Sequence, residues 1–250
     1  MNTFKFITPN WTAPAHIKAV STTRLNGVSK GAYQGLNLAI HINDDTDLVL
    51  ENRRSLAKHF SFKNDLYWLN QTHSTTLLEL PPITKAIELP ADAVWTSTKN
   101  QPCIAMTADC LPVLVTDKSG SFVCAIHAGW RGLCDGIIEK SLATICQKNH
   151  IATKDLLVWL GPCIGREAFE VGDDVRDEFI SRNSQATTAF RAFGDCWLAD
   201  LQQLAYQRLS PLQISEITHS DLCTFKNPDL FYSYRRDGKT GRMATLIWIE

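Results

Sequence analysis

The sequence predicts an α+β chain, a sandwich of mixed β-sheets with helices outside, in one domain over residues 1–250. Three observations carry this. Short runs rich in β-branched and aromatic residues alternate with longer runs of helical period. A turn signal, "KSGS" at Lys118–Ser121, joins two strand-like runs directly, whereas other runs are separated by whole helices, so hairpins and crossovers coexist. No linker, repeat or low-complexity tract divides the chain.

In order, the expected strands are Leu66–Asn70, Thr76–Leu80, Pro112–Asp117, Ser121–His127, Leu156–Gly161 and Ala244–Ile249. A helix is expected over Asp47–Phe60. A second covers Leu133–Lys148, with Ile137, Ile138, Leu142 and Ile145 on one face. A third covers Val175–Ser181. The fourth opens at the N-cap Asp200 and turns Leu201, Leu204, Ala205 and Leu209 inward.

A formal net charge of -1 offers no basic face for nucleic acid. No apolar run approaches the roughly 20 residues of a membrane span, and the first residues lack a signal peptide's apolar segment, so a cytoplasmic protein is expected. The eight cysteines form no C-x-x-C pair. They are expected to be reduced, and neither a zinc ribbon nor a thioredoxin-type pair is indicated. No protein partner is indicated.

Polar residues gather just past strand ends, where a rigid scaffold holds loops. "NQTHS" carries Asn70, Gln71 and His73; "ADAVWT" carries Asp92; "TADC" carries Asp109 and Cys110. "HAGWRG" carries His127, Trp130 and Arg131, and "SYRRDGKTGR" carries Arg235, Arg236 and Arg242. Cys110 and His127 bracket a strand, a turn and a returning strand. With His73 they offer two imidazoles and a thiolate, a donor set that suits zinc and leaves a fourth position for water. The same atoms suit a nucleophilic thiol with its histidine base. Ordinary packing is the third reading, and spacing alone leaves all three open.

Asp92 and Asp109 are candidate acid/base groups. Asn70, Gln71 and Asp92 are candidate substrate contacts. Arg24, Arg131 and Arg235 are candidate phosphate ligands, because a guanidinium fork matches two oxygens. Surface charge is the ordinary fate of an arginine. Adjacent Arg235 and Arg236 would face opposite sides of an extended segment. Phe231, Tyr232 and Tyr234 could stack a base, although aromatics also simply favour strands. His41 belongs to no pattern.

Several motifs occur together and in order: "STTRLNGVSKGAYQGLNLAIHINDD", "LNQTHS", "ADAVWT", "MTADCLPVLVTD", "AIHAGWRGL", "LGPCIGREAFEVG" and "FYSYRRDGKTGRMA". As a set, over nearly the whole chain, they resemble the bacterial YfiH/laccase-domain family. The resemblance implies an α/β/β/α domain and a zinc site made of His73, Cys110 and His127. It implies phosphorolysis of adenosine, inosine, guanosine and 5'-methylthioadenosine, with adenosine deamination at the same site, so purine nucleosides and phosphate are the expected partners. Other labels in the family imply a copper polyphenol oxidase, with copper as the alternative metal, or an amidase editing a peptidoglycan precursor. Asn26 and Asn43 stand where the family usually has glycine. Asparagine tolerates positive φ best among the other residues, so the two turns are expected to survive.

Overall fold

Asp117 builds the hairpin turn expected at Lys118–Ser121. Its carboxylate accepts from the backbone N–H of Ser119 (3.2 Å) and Ser121 (2.6 Å), and Gly120 takes φ +68°. The turn fixes the register so that Pro112 pairs with His127. Cys110, two residues before Pro112, therefore arrives at the same end of the hairpin as His127.

The computed structural model describes residues 4–63, 66–80 and 89–250. In chain order the strands are β1 (Phe6–Ile7), β2 (Ile17–Thr22), β3 (Leu69–Asn70), β4 (Leu77–Glu79), β5 (Leu89–Pro90), β6 (Ala93–Thr96), β7 (Cys103–Thr107), β8 (Leu111–Asp117), β9 (Val123–Ala128), β10 (Leu156–Leu160), β11 (Glu170–Val171), β12 (Phe190–Phe193), β13 (Cys196–Ala199), β14 (Glu216–His219) and β15 (Met243–Ile249). The helices are α1 (Thr46–His59), α2 (Trp130–Cys134), α3 (Ile137–Asn149), α4 (Asp173–Arg182), α5 (Leu201–Leu209) and α6 (Tyr234–Asp237).

Two sheets dominate. One runs β1-β2-β15-β7, the other β14-β10-β8-β9-β6-β4 with parallel pairs at both edges, so the fold is α+β with mixed sheets. Alternation along each strand sorts side chains into layers. Cys103, Ala105, Ile247 and Ile249 meet Leu114, Val123, Ala125 and Trp159 between the sheets. Ile104, Met106, Leu246 and Trp248 face outward against Leu56 of α1. On the far side, Val113, Val115, Cys124 and Ile126 pack on Ile138, Leu142 and Ile145 of α3, Phe179 of α4 and Leu204 of α5. The layers are thus helix, sheet, sheet, helix. Among the described residues no helix is long and apolar enough to cross a membrane.

The structure corrects several expectations. The helix expected over Leu133–Lys148 is two, because Gly136 adopts φ +85° between α2 and α3. Strand β7 was not expected: "CIAMT" is buried on both faces and so lacks alternation. Of the expected strand Leu66–Asn70 only Leu69–Asn70 pairs. Arg235 and Arg236 lie in α6, capped by the Ser233 side chain on Arg236 N–H, and not in an extended segment. Asn26 (φ +66°) and Asn43 (φ +63°) occupy left-handed turns as expected.

Candidate metal centre

Three chain segments converge at one end of the hairpin. Cys110 follows Asp109, whose φ of +94° is strained for a non-glycine residue. Asp109 is held there by its own side chain: its carboxylate accepts from Thr224 Oγ1 (2.6 Å), Ser233 Oγ (3.0 Å) and Arg235 N–H (2.7 Å). Its carbonyl accepts from Ile164 N–H (2.9 Å). His127 lies near the end of β9 and is buried. His73 comes from the loop after β3 and is exposed, with φ +61°.

The wholly buried Asp92 ties the two histidines together. One carboxylate oxygen sits 2.8 Å from His127 Nδ1 and accepts from His73 N–H at 3.0 Å. The other accepts from the N–H groups of Thr72 (3.2 Å) and Ser74 (2.6 Å) and from the Ser74 hydroxyl (2.7 Å). Asp92 thereby fixes the His127 ring from behind, leaving Nε2 as the outward nitrogen. Glycine at 129 admits the third component: a Cβ there would lie 2.4 Å from His73 Cδ2 and 3.3 Å from Cys110 Sγ. Gly129→Ala is therefore expected to push the His73 ring aside and weaken metal binding about tenfold or more, while the fold survives. Chelator competition measures this, and an unchanged affinity would remove Gly129 from the account.

The resulting geometry is tight. His73 Nε2 and Cys110 Sγ are 3.7 Å apart, and the two imidazole centroids are 4.9 Å apart. One ligand atom from each of His73, Cys110 and His127 lies within 4.8 Å of the others. Two imidazoles and a thiol at that separation, braced by a carboxylate, fit one zinc or copper ion.

Electrostatics reinforce the arrangement. Burial alone would push the Cys110 thiol up, but His127, by charge and hydrogen bond, and then His73 bring it down to about 6. Burial opposes protonation of His127, yet Cys110 and Asp92 push it up to about 9. Burial opposes ionisation of Asp92 too, and the hydrogen bonds from His127 and Ser74 hold it down at about 2. In metal-free protein, Cys110 is therefore expected to alkylate with a rate that falls as pH drops through about 6, where the thiolate takes up a proton. Burial pushes the Cys103, Cys124 and Cys163 thiols up, so Cys110 should react before them. A peptide-resolved iodoacetamide profile checks this; a midpoint at or above the ordinary value of about 8.5 would contradict it.

The three groups open into a cavity of about 410 Å³, lined also by His41, Gln71, Met106, Thr107, Ala108, Tyr234 and Arg242. A larger cleft of about 550 Å³, near Cys163, Tyr206 and His219, lies elsewhere and has no such convergence of donors among the described residues. Several expected site residues sit otherwise than predicted. The carboxylates of Asp92 and Asp109 accept hydrogen bonds from the framework, Asp92 from Thr72, His73 and Ser74, Asp109 from Thr224, Ser233 and Arg235. Gln71 lines the cavity, but its amide is clamped to Met106 by two 2.7 Å hydrogen bonds.

Asn70, Arg24, Arg131 and Arg235 do not line the cavity. Arg24 lies on the Tyr232 ring and donates to the Pro228 carbonyl. Arg131 lies over Trp130, and Arg235 donates to the Glu170 carbonyl. Phe231 and Tyr232 are core residues, whereas Tyr234 is 60% exposed at the cavity. Arg242 and His41 were not expected at the site. Arg242 stands in a recognisable motif but was indistinguishable there from its neighbouring arginines.

A family model described as multi-copper polyphenol oxidoreductase laccase matches residues 18–250. The chain belongs to this YfiH/laccase-domain family. A Haemophilus influenzae member named purine nucleoside phosphorylase is 44% identical over 247 residues, covering 98% of this chain and 99% of its own. The Escherichia coli purine nucleoside phosphorylase YfiH is 42% identical over 245 residues, with the same coverage. Among solved structures, a Neisseria meningitidis DUF152 protein superposes with a TM-score of 0.90 at 40% identity over 98% of this chain and 99% of that one. Bacillus licheniformis YfiH does so at 0.90 with 28% identity over the whole of both chains.

Proposed function

We propose that this chain is a zinc-dependent purine nucleoside phosphorylase acting on adenosine, inosine, guanosine and 5'-methylthioadenosine, with adenosine deamination in the same cavity. The observation that carries the proposal is the convergence of His73, Cys110 and His127 on the cavity, in a chain whose relatives bear that name. His73, Cys110 and His127 would hold the ion. Bound there, zinc would supply Lewis-acid polarisation of an oxygen or nitrogen of the substrate.

The protein's own residues do the rest. About 410 Å³ accommodates a nucleoside-sized ligand. The exposed Tyr234 ring offers a stacking face for the purine at the cavity wall. The Gln71 clamp on Met106 and the Asp92 brace keep the floor rigid. In phosphorolysis a phosphate oxygen bonds to ribose C1', the C1'–N9 bond breaks, and the purine leaves with a proton. Eight free thiols suit a reducing cytoplasm.

The test is incubation of metal-analysed protein with adenosine, with and without phosphate. Adenine only in the presence of phosphate is the expected result, with inosine appearing independently of phosphate. Absence of both adenine and inosine would overturn the proposal.

A second proposal rests on the depressed Cys110 thiol beside His127. The pair suits a metal-independent amidase that edits a peptidoglycan precursor through a thioester on Cys110. It requires turnover that survives chelation.

A further inference from the structure

Arg242 is the only guanidinium or ammonium group among the residues lining the His73–Cys110–His127 cavity. Its Nη1 donates to the carbonyls of Thr240 (2.9 Å) and Gly241 (3.0 Å), which orients the plane of the fork. Nε and Nη2 have no hydrogen-bond partner among the described residues, and no described carboxylate lies within 4.0 Å of the group. Of the other arginines, Arg24 and Arg235 are held by carbonyls and Arg236 by Asp237 and three carbonyls, while Arg131 lies over Trp130 away from the cavity. Cys110 and then Asp109 are near enough to be felt, but neither is hydrogen-bonded to the group, and the Asp109 carboxylate is already occupied by Thr224, Ser233 and Arg235.

A half-buried guanidinium with two donor nitrogens unpaired is costly unless an acceptor completes it. This one is also held in place. The Arg242 N–H donates to Asn37 Oδ1 (2.9 Å), and its carbonyl accepts from Leu38 N–H (3.3 Å). Gly241 packs flat on Tyr232, where a Cβ would come within 2.6 Å of the ring. The Tyr234 ring stands 5.8 Å from the guanidinium carbon. The fork is pre-oriented, close to the proposed base-stacking face and to the three-ligand group.

We propose that Arg242 is the oxyanion subsite of this cavity, gripping a phosphate through Nε and Nη2 beside the His73–Cys110–His127 centre. The role of that phosphate as attacking group rests on the phosphorolysis proposal; the binding itself does not. Each charge-assisted bond of this kind supports roughly a tenfold to hundredfold effect.

The experiment is calorimetric titration of the metal-loaded protein with inorganic phosphate, on wild type, R242Q and R242K. R242Q is expected to bind at least about tenfold more weakly. R242K, which keeps the charge but loses the fork, should fall between. In turnover, the KM for phosphate should rise while the KM for adenosine changes little. Wild-type protein that binds no phosphate, or R242Q that binds as tightly as wild type, would overturn the assignment. If R242Q does not fold, R242K decides, an affinity equal to wild type again overturning it. Phosphate bound through Arg242 in a protein that releases no adenine would leave this subsite standing and overturn phosphorolysis instead.

Discussion

Cys110→Ala is expected to cost the protein its metal and its turnover while leaving its fold intact. Cys110 is only partly buried and fills no core layer, so losing its sulfur should change stability by well under 1 kcal/mol. Its chemical loss is large. Two imidazoles remain where three donors stood, and the only thiolate of the set is gone. Even residues that merely brace a metal ligand cost 10–100-fold in affinity when mutated, so removing a ligand is expected to exceed about 100-fold. Metal analysis after dialysis, a thermal melt and an adenosine assay check the three parts. A variant that keeps one metal per chain and full turnover would show that Cys110 is packing.

The largest effect on stability is expected at Asp92. Asp92→Ala strips the acceptor from three backbone N–H groups, the Ser74 hydroxyl and His127 Nδ1 at once, in a place water does not reach. Breaking one partner of a buried, hydrogen-bonded charge costs about 3–5 kcal/mol, enough to threaten folding of a domain of ordinary stability. Asp92→Asn keeps the shape and one acceptor oxygen but loses the charge facing His127. It is expected to fold, with metal bound about 10–100-fold more weakly. Urea unfolding reports the first variant and chelator competition the second. An Asp92→Ala protein as stable as wild type would mean that the loop at Thr72–Ser74 is held by something else.

The two aspartates show where sequence reasoning reached and where it stopped. Asp92 in "ADAVWT" and Asp109 in "TADC" were visible as candidates, because both stand next to strand ends. Their roles were not visible. Whether a carboxylate faces substrate or backbone depends on the approach of segments distant in the chain, such as Ser233 and Thr224 to Asp109.

The arginines repeat the lesson. Arg24, Arg131, Arg235 and Arg242 look alike in sequence, and only the placement of the β15 entry against Asn37 and Tyr232 puts Arg242 in the cavity. The fold was more legible, since the turn at Lys118–Ser121 and the apolar face of α3 are local patterns. Strand β7 escaped because burial on both faces erases alternation, and the α2–α3 break escaped because it depends on the backbone of the single residue Gly136.

The central claim is that one metal ion held by His73, Cys110 and His127 is required for nucleoside chemistry in this cavity. Its most direct test is stepwise return of zinc to chelator-stripped protein, with adenine release from adenosine and phosphate measured at each addition. Turnover is expected to be absent at the start, to rise in proportion to zinc and to stop at one equivalent per chain. Full turnover by the stripped protein, unchanged as zinc is added, would contradict the claim.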